Sequence, residues 1–327
     1  MRAAICPTYG PPEVVRVEHV PAPLPGRGQA RVRIVTAAVN YPDVLLVANK
    51  YQISVPPPFV PGSEYAGVVT EIGAGVTGLA VGDRVTSTGL VGAFAEEVVG
   101  SADKLIPIPD GVDDTCAAAF GVAHRTAYHA LRSVAQVRSG SELIVLGAGG
   151  GVGLAAVQLG VALGARVTAV ASSAEKLEVA GRNGATHLIE HRRVDLRRVD
   201  LRSGLRAALP DGADAVLDPV GGDLAEPALR TLRRGGRYVT IGFASGTIPR
   251  IPLNLILVKG VSLHGFAFQD LDPEEYRRNE AELAHLLSSG RVRPHIGATY
   301  PLEDAAAALR EVADGRAIGK VVIAVSG

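Results

Sequence analysis

Cysteine is scarce in this chain: among 327 residues only Cys6 and Cys116 carry a thiol. Two thiols build neither a disulfide framework nor the four-thiolate lobe of a structural zinc site. Reduced, cytoplasmic chemistry is the expectation. Net charge is missing as well. The 33 basic residues cancel the 33 acidic ones, so no summed field draws in nucleic acid or an anionic membrane. The opening Met1-Arg-Ala-Ala-Ile-Cys-Pro lacks the apolar run of a secretory signal. The uncharged stretch Leu143–Ala165 imitates a membrane span, but Gly147, Gly149, Gly150, Gly151 and Gly153 interrupt it. A spanning helix tolerates such a cluster poorly. It reads instead as a buried strand, a glycine turn and a buried helix.

What is present is a globular balance, with 47% hydrophobic and 20% charged residues, and length enough for two domains with proper cores. Glycine is in excess: 39 residues, about 12% against a usual ~7%. There is no collagen period, so the excess belongs to turns and close backbone approaches. The first 120 residues read as β-rich, with Arg31-Val-Arg-Ile-Val alternating and short strands such as Glu64–Gly73 cut by glycine and proline. From about residue 121 strands alternate with helices. Strands are expected at Leu143–Leu146, Arg166–Ala171, His187–Ile189, Ala215–Asp218 and Tyr238–Gly242, with helices near Gly153–Leu163 and Ala174–Arg182. That alternation implies a doubly wound parallel sheet. Further helices are expected around Glu274–Leu287 and Leu302–Asp314, then a last strand from Lys320. The fold class is therefore α/β, a Rossmann sheet inserted into a barrel-like domain. Residues 1–120 and 262–327 form the outer domain and 121–261 the inserted one. Arg192-Arg-Val-Asp-Leu and Arg197-Arg-Val-Asp-Leu repeat in tandem, which reads as a solvated surface duplication in preference to an anion-binding cluster.

Between the expected strand and helix lies Gly147-Ala-Gly-Gly-Gly-Val152-Gly153. Such a turn brings backbone N–H groups against a pyrophosphate, and the helix N-terminus adds donors and partial positive charge. Gly147, Gly149, Gly150, Gly151, Val152 and Gly153 are thus cofactor-binding candidates. An NAD site places an acid at the end of the second strand to take the ribose 2′-hydroxyl. Here that strand ends in Ser172 and Ser173, with Lys176 one turn on. Two hydroxyls and an ammonium suit a 2′-phosphate, so NADPH is expected over NADH. Ser172-x-x-Glu175 also fits a capping box that starts the next helix, and the two roles are compatible.

These features continue in Tyr9-Gly-Pro-Pro-Glu-Val, Ala38-Val-Asn-Tyr-Pro-Asp, Val60-Pro-Gly-Ser-Glu-Tyr-Ala-Gly, Gly78-Leu-Ala-Val-Gly-Asp-Arg-Val, Arg125-Thr-Ala-Tyr-His-Ala-Leu, Asp218-Pro-Val-Gly-Gly, Arg237–Gly246 and Gly319-Lys-Val-Val. With them the chain resembles, from end to end, the zinc-free quinone oxidoreductase (zeta-crystallin-like) branch of the medium-chain dehydrogenase/reductase superfamily. The resemblance implies a GroES-like catalytic domain, a Rossmann domain and a homodimer or tetramer. Zinc alcohol dehydrogenases of this superfamily hold metal with a Cys, a His and a second Cys. Those positions read Asn40, Ser63 and, nearby, Val122, which cannot build a tetrahedral N/S site. Cys6 and Cys116 are expected to be buried apolar residues, and no metal is expected.

The resemblance places Asn40 and Thr126 beside the nicotinamide ribose and ring. It lines that end of the cofactor with Ile241, Gly242, Phe243, Phe266 and Phe268, and brings Lys320 toward the cofactor. Asp218 and Val220 follow the fourth strand at the carboxyl edge, where open parallel sheets bind ligands. An acceptor tyrosine of many relatives is Leu45 here, while Tyr51 is retained and is the candidate for orienting or protonating the acceptor. His191 and Arg192 stand where a tyrosine often supports the 2′-phosphate. His124 and Arg125 replace smaller residues and are expected either to tune acceptor choice or to face solvent. Without a Lewis acid, alkoxide chemistry loses its support, leaving hydride delivery to an electrophilic acceptor. A quinone is the expected substrate, with an enone or enoyl thioester as the alternative and a non-catalytic NADPH-binding protein as a third reading.

Overall fold

The structure is a computed structural model that describes residues 1–191, 193–194, 197–198 and 201–325. It divides into two compact units, Met1–Val122 with Arg293–Gly327, and Ala123–Val292.

In the first unit a seven-stranded sheet runs in the order Ile296–Pro301, Lys320–Ala324, Gln29–Val39, Glu64–Ile72, Arg84–Thr88 and Ile106–Pro107, with Glu97–Ser101 also paired to Gln29–Val39. The expected alternation holds in Ala30–Ile34, where Val32 and Ile34 are buried and Arg33 is exposed. Beyond it Thr36 to Val39 are buried on both faces, since Ala37 and Val39 join the main core and Ala38 packs with Ala119 and Val322 in a second small apolar cluster. Val32, Ile34, Val69, Val85, Phe94, Leu309 and Ile323 share one apolar cluster. Cys6 and Cys116 are free thiols and buried. Burial pushes the Cys116 thiol up to about 11, so it stays protonated.

The second unit is built on six parallel strands. Their order is His187–Glu190, Arg166–Ala171, Glu142–Leu146, Ala213–Asp218, Leu232–Thr240 and Ser262–Gly265. The chain therefore winds outward from Glu142–Leu146 in one direction, then returns and winds outward in the other, so the order reverses between Glu142–Leu146 and Ala213–Asp218. That reversal opens a crevice at the carboxyl ends of these strands. The helix after the glycine turn is Gly151–Ala162, two residues earlier than the spacing suggests, with Gly150 at its N-cap.

The domain boundary needs correction. The expected return to the outer domain at residue 262 comes at Arg293. Ser262–Gly265 pairs in parallel with Arg237–Thr240, and Pro273–Ser288 is a helix of the same unit. The first cut falls within the helix Asp114–His129, at Ala123 rather than 121. Short strands and loops around residue 262 carry no compositional change, so only the pairing reveals where they belong. No helix among the described residues is long and apolar enough to cross a membrane.

Candidate functional site: a glycine cradle and a buried polar cluster

In the second unit the glycine turn is shaped by contacts that leave no room for side chains at Gly147, Gly149 and Gly153. A Cβ on Gly153 would lie 2.0 Å from the Gly147 carbonyl oxygen, and one on Gly147 would lie 2.6 Å from Val220 Cγ2. Gly147 also has φ +62°, a left-handed conformation that glycine adopts at no steric cost. The helix thus starts hard against the turn, with its first N–H groups open toward the strand ends. The stem of Lys176 lies across Gly149, where an added Cβ would meet Lys176 Cβ at 2.5 Å. Burial lowers the Lys176 pKa from its ordinary value.

The end of the second strand gathers the expected phosphate group ligands. Ser173, not Ser172, caps the helix Ala174–Arg182, its hydroxyl accepting from the Lys176 N–H at 3.3 Å. The capping position shifts by one because Ser172 still closes the strand end, and it leaves the Ser172 hydroxyl outside the cap. His191 follows the neighbouring strand and donates its backbone N–H to Ala171 O at 3.0 Å. Burial, with the nearby Lys176 charge adding to it, lowers the His191 pKa. Ser172, Ser173, Lys176 and His191 therefore stand just beyond the carboxyl ends of two adjacent strands, with Glu190 closing one of them and Glu175 beside Lys176. Arg192, like Asp195 and Asp200 of the tandem repeat, lies outside the described residues.

Asp218 ends the strand Ala213–Asp218. It is fully buried. One carboxylate oxygen accepts the N–H groups of Val220 and Gly221 at 2.7 and 2.8 Å, and the other accepts the Tyr238 hydroxyl at 2.5 Å. Burial and that carboxylate push the Tyr238 phenol well above its ordinary pKa, so it remains a donor. The loop so pinned is laced to the next one. Ile241 N–H donates to Asp218 O, Ala244 N–H to Pro219 O and Ser245 N–H to Val220 O, at 2.9–3.0 Å. Val220, Ile241, Gly242 and Phe243 are thereby brought together, with the Phe243 ring against Gly221. Phe266 and Phe268 form an edge-to-face pair, centroids 5.0 Å apart, beyond the last strand.

The helix residues near Thr126 are more buried than a solvent-facing assignment allows. His124 is 2% exposed and its Nε2 lies 3.2 Å from Gln158 Oε1. Arg125 pairs with Glu280 at 2.9 Å. His129, for which the sequence suggests no partner, bonds Glu280 at 2.8 Å and stacks on Tyr276, with Phe268 edge-on. Burial favours a protonated Glu280, but the His129 bond and the Arg125 charge outweigh it and hold the carboxyl below its ordinary pKa. Glu280 carries no motif signal, since it lies in an ordinary charged helix. Thr126 itself is half-buried on the same helix.

In the first unit Asn40 and Lys320 meet, although 280 positions separate them. Lys320 Nζ donates to Asn40 Oδ1 and to Glu64 Oε1, each at 2.6 Å. Asn40 Nδ2 donates to Glu64 Oε1 at 3.0 Å and Ser63 Oγ at 3.2 Å. The amide orientation follows from these partners, since a flipped group would set NH2 against the ammonium and oxygen against the carboxylate. Asp43 lies beneath, fully buried, and accepts the Asn40 N–H at 2.7 Å. Burial pushes its carboxyl up to about 7, against the Asn40 hydrogen bond and the Lys320 charge. Tyr51 is half-buried and packs against the apolar core of this unit.

A catalytic zinc does not fit this cluster. Asn40 spends both amide hydrogens internally, Val122 has no donor side chain, and an ammonium occupies the centre. Among the described residues no three His, Cys, Asp or Glu gather as a metal set.

The chain is similar to known proteins along almost its whole length. The family model described as "Alcohol dehydrogenase GroES-like domain" matches residues 26–110, and that described as "Zinc-binding dehydrogenase" matches 151–285. The chain is 35% identical over 330 aligned residues, covering 98% of itself and 88% of the relative, to "Quinone oxidoreductase-like protein 2 homolog" of Nematostella vectensis. It belongs to the quinone oxidoreductase branch of the medium-chain dehydrogenase/reductase superfamily. It is accordingly an oxidoreductase. An Escherichia coli quinone oxidoreductase complexed with NADPH superposes with TM-score 0.89 at 27% identity, covering 99% of this chain and 100% of that one. A Thermus thermophilus quinone oxidoreductase, also studied in complex with NADPH, gives 0.82 at 31%, with 99% and 100% covered.

Proposed function

We propose that this protein is an NADPH-dependent, zinc-independent reductase of quinones. The observation that carries the reading is that Ser172, Ser173, Lys176 and His191 stand at neighbouring strand ends beside a glycine turn in which a Cβ on Gly147, Gly149 or Gly153 would clash. NADPH when bound supplies a hydride. Backbone N–H groups of Gly149 and of the helix N-terminus Gly151–Gly153 hold the pyrophosphate. Ser172, Ser173, Lys176 and His191 receive the 2′-phosphate, and the Val220 and Ile241–Phe243 loops shape the nicotinamide end of the crevice. Asn40, Thr126 and Tyr51 serve the reaction, with Asn40 held by Lys320 and Glu64. With an ammonium in place of a metal dication, alkoxide stabilisation is lost, and an acceptor that is already electrophilic suits the site.

A homodimer accompanies this reading. The helix Leu253–Lys259 exposes Leu253, Leu257 and Val258 at 76%, 82% and 69%, beside the edge strand Ser262–Gly265 with its unpaired backbone groups. Such a face invites a second copy.

The test is an acceptor panel run with both nucleotides. Quinones should be reduced with NADPH far faster than with NADH. Faster turnover of enones or enoyl thioesters by kcat/KM would move the substrate to that class. NADPH binding without turnover of any acceptor would leave a nucleotide-binding protein.

A further inference from the structure

Asn40, Ser63 and Val122 stand where zinc alcohol dehydrogenases carry their metal ligands, and in this chain two other side chains join all three. Glu64 Oε1 accepts from Asn40 and Lys320, while Glu64 Oε2 accepts the Val122 N–H at 2.7 Å. Lys320 reaches Asn40 and the Val39 carbonyl, the latter at 3.4 Å. Ser63 is tied in through the Asn40 amide. The Lys320 and Glu64 side chains are 4% and 1% exposed, so water does not screen the pair. Four chain segments meet at this one ion pair.

We propose that Glu64 and Lys320 are positioning residues for Asn40: the ion pair replaces a metal as the centre that fixes the three positions, and it aims the free lone pair of Asn40 Oδ1. This rests on the reading that Asn40 serves hydride transfer. The pair is net neutral, and one ammonium cannot polarise a substrate oxygen as a dication does. Its contribution is geometry. The amide of Asn40 has every hydrogen engaged, so rotation about its side chain breaks three hydrogen bonds at once. A second cation would sit against the Lys320 ammonium, so the pair also disfavours a metal there.

A purely structural pair behaves differently from a positioning one. Removing one partner of a buried pair strands the other charge, whereas replacing both by neutral groups of similar volume often restores stability. The experiment therefore compares the full-length wild type with Glu64→Gln, Lys320→Met, the double variant, Asn40→Ala and Asn40→Ala/Glu64→Gln. Melting temperature, NADPH affinity by fluorescence, kcat and KM with a quinone, and the side-chain amide signal of Asn40 in an asparagine-labelled sample are measured. That signal is assigned by its loss in Asn40→Ala.

Each single charge variant should melt lower, and the double variant should recover most of that loss. In the double variant kcat should still fall about 10-fold, the size of one oriented hydrogen bond to a charged group, with quinone KM changed less than about 2-fold. Glu64→Gln should cost nothing further once Asn40 is alanine. The Asn40 signal should be slow to exchange in the wild type and broad or fast-exchanging in the double variant. Wild-type kcat in the double variant, or an additive loss in the Asn40→Ala background, overturns the proposal. If the wild type turns over no acceptor, the quinone reading falls, and the amide signal alone decides the positioning role. If the double variant does not fold, Lys320→Arg, which keeps charge and donors, should retain the amide signal and Lys320→Gln should lose it; equal spectra overturn the proposal.

Discussion

The two polar centres of this protein are made from opposite materials. The cradle in the second unit is backbone, a turn in which Gly147, Gly149 and Gly153 leave no room for a Cβ and a helix N-terminus follows directly. The cluster in the first unit is side chain, an amide, two carboxyls and an ammonium gathered from segments up to 280 positions apart. A backbone site binds whatever fits its shape and charge, and it is broken by adding atoms. A side-chain site depends on charge balance, and it is broken by removing one partner.

That contrast orders the consequences. The largest effect should come from adding atoms to the cradle. In Gly153→Val the new side chain meets the Gly147 carbonyl, and overpacking costs roughly 1–3 kcal/mol. NADPH affinity in a fluorescence titration should drop about 10-fold or more, and an unchanged titration would show that the turn is not the cofactor site. Next is Tyr238→Phe, which strips the donor from a buried Asp218 oxygen and should cost about 1–3 kcal/mol in chemical denaturation. A loss below a few tenths would mean that water replaces the phenol.

Smaller still is Lys176→Ala, a single charged contact at the cradle's rim. NADPH should bind about 10-fold more weakly, in keeping with a charge-assisted bond, while NADH changes less than about 2-fold. Equal losses for both nucleotides would assign Lys176 to packing over Gly149 rather than to phosphate.

The effect at Asp43 is a matter of pH. In the unfolded chain this carboxyl ionises near pH ~3.9, and in the folded protein at about 7. Between those values the native state holds a proton that the unfolded state has released, so stability at this position falls as pH rises from about 4 to about 7. Asp43→Asn has no proton to hold. Its melting temperature relative to wild type should climb by a few degrees between pH 5 and 7.5, and parallel pH curves would place the carboxyl's pKa near that of an exposed acid.

The same contrast explains what could be read from the residues alone. Strand, turn and helix periods made the parallel sheet visible, and the glycine spacing located the cradle, because backbone geometry is imposed locally. Asn40 and Lys320 were legible only as members of motifs. That they touch is fixed by the antiparallel pairing of Val321 with Val39, a long-range contact with no local signature. Glu64 and Asp43 were hidden for the same reason, and Glu280 more so, since burial by a neighbouring helix turned an ordinary surface acid into the partner of His129 and Arg125. The boundary at Arg293 was missed because an edge strand looks alike in either domain.

The lacing of the Asp218–Gly222 loop to the Ile241–Thr247 loop bears on the thermodynamics of cofactor capture. Every bond of that lacing is internal to the protein, so these segments are ordered before a ligand arrives. Ordering loops on association is a main opposing cost of binding, and here it has been met during folding. Calorimetry of NADPH association should accordingly show a heat-capacity change set by the cofactor surface buried, without the larger decrement that accompanies loop folding.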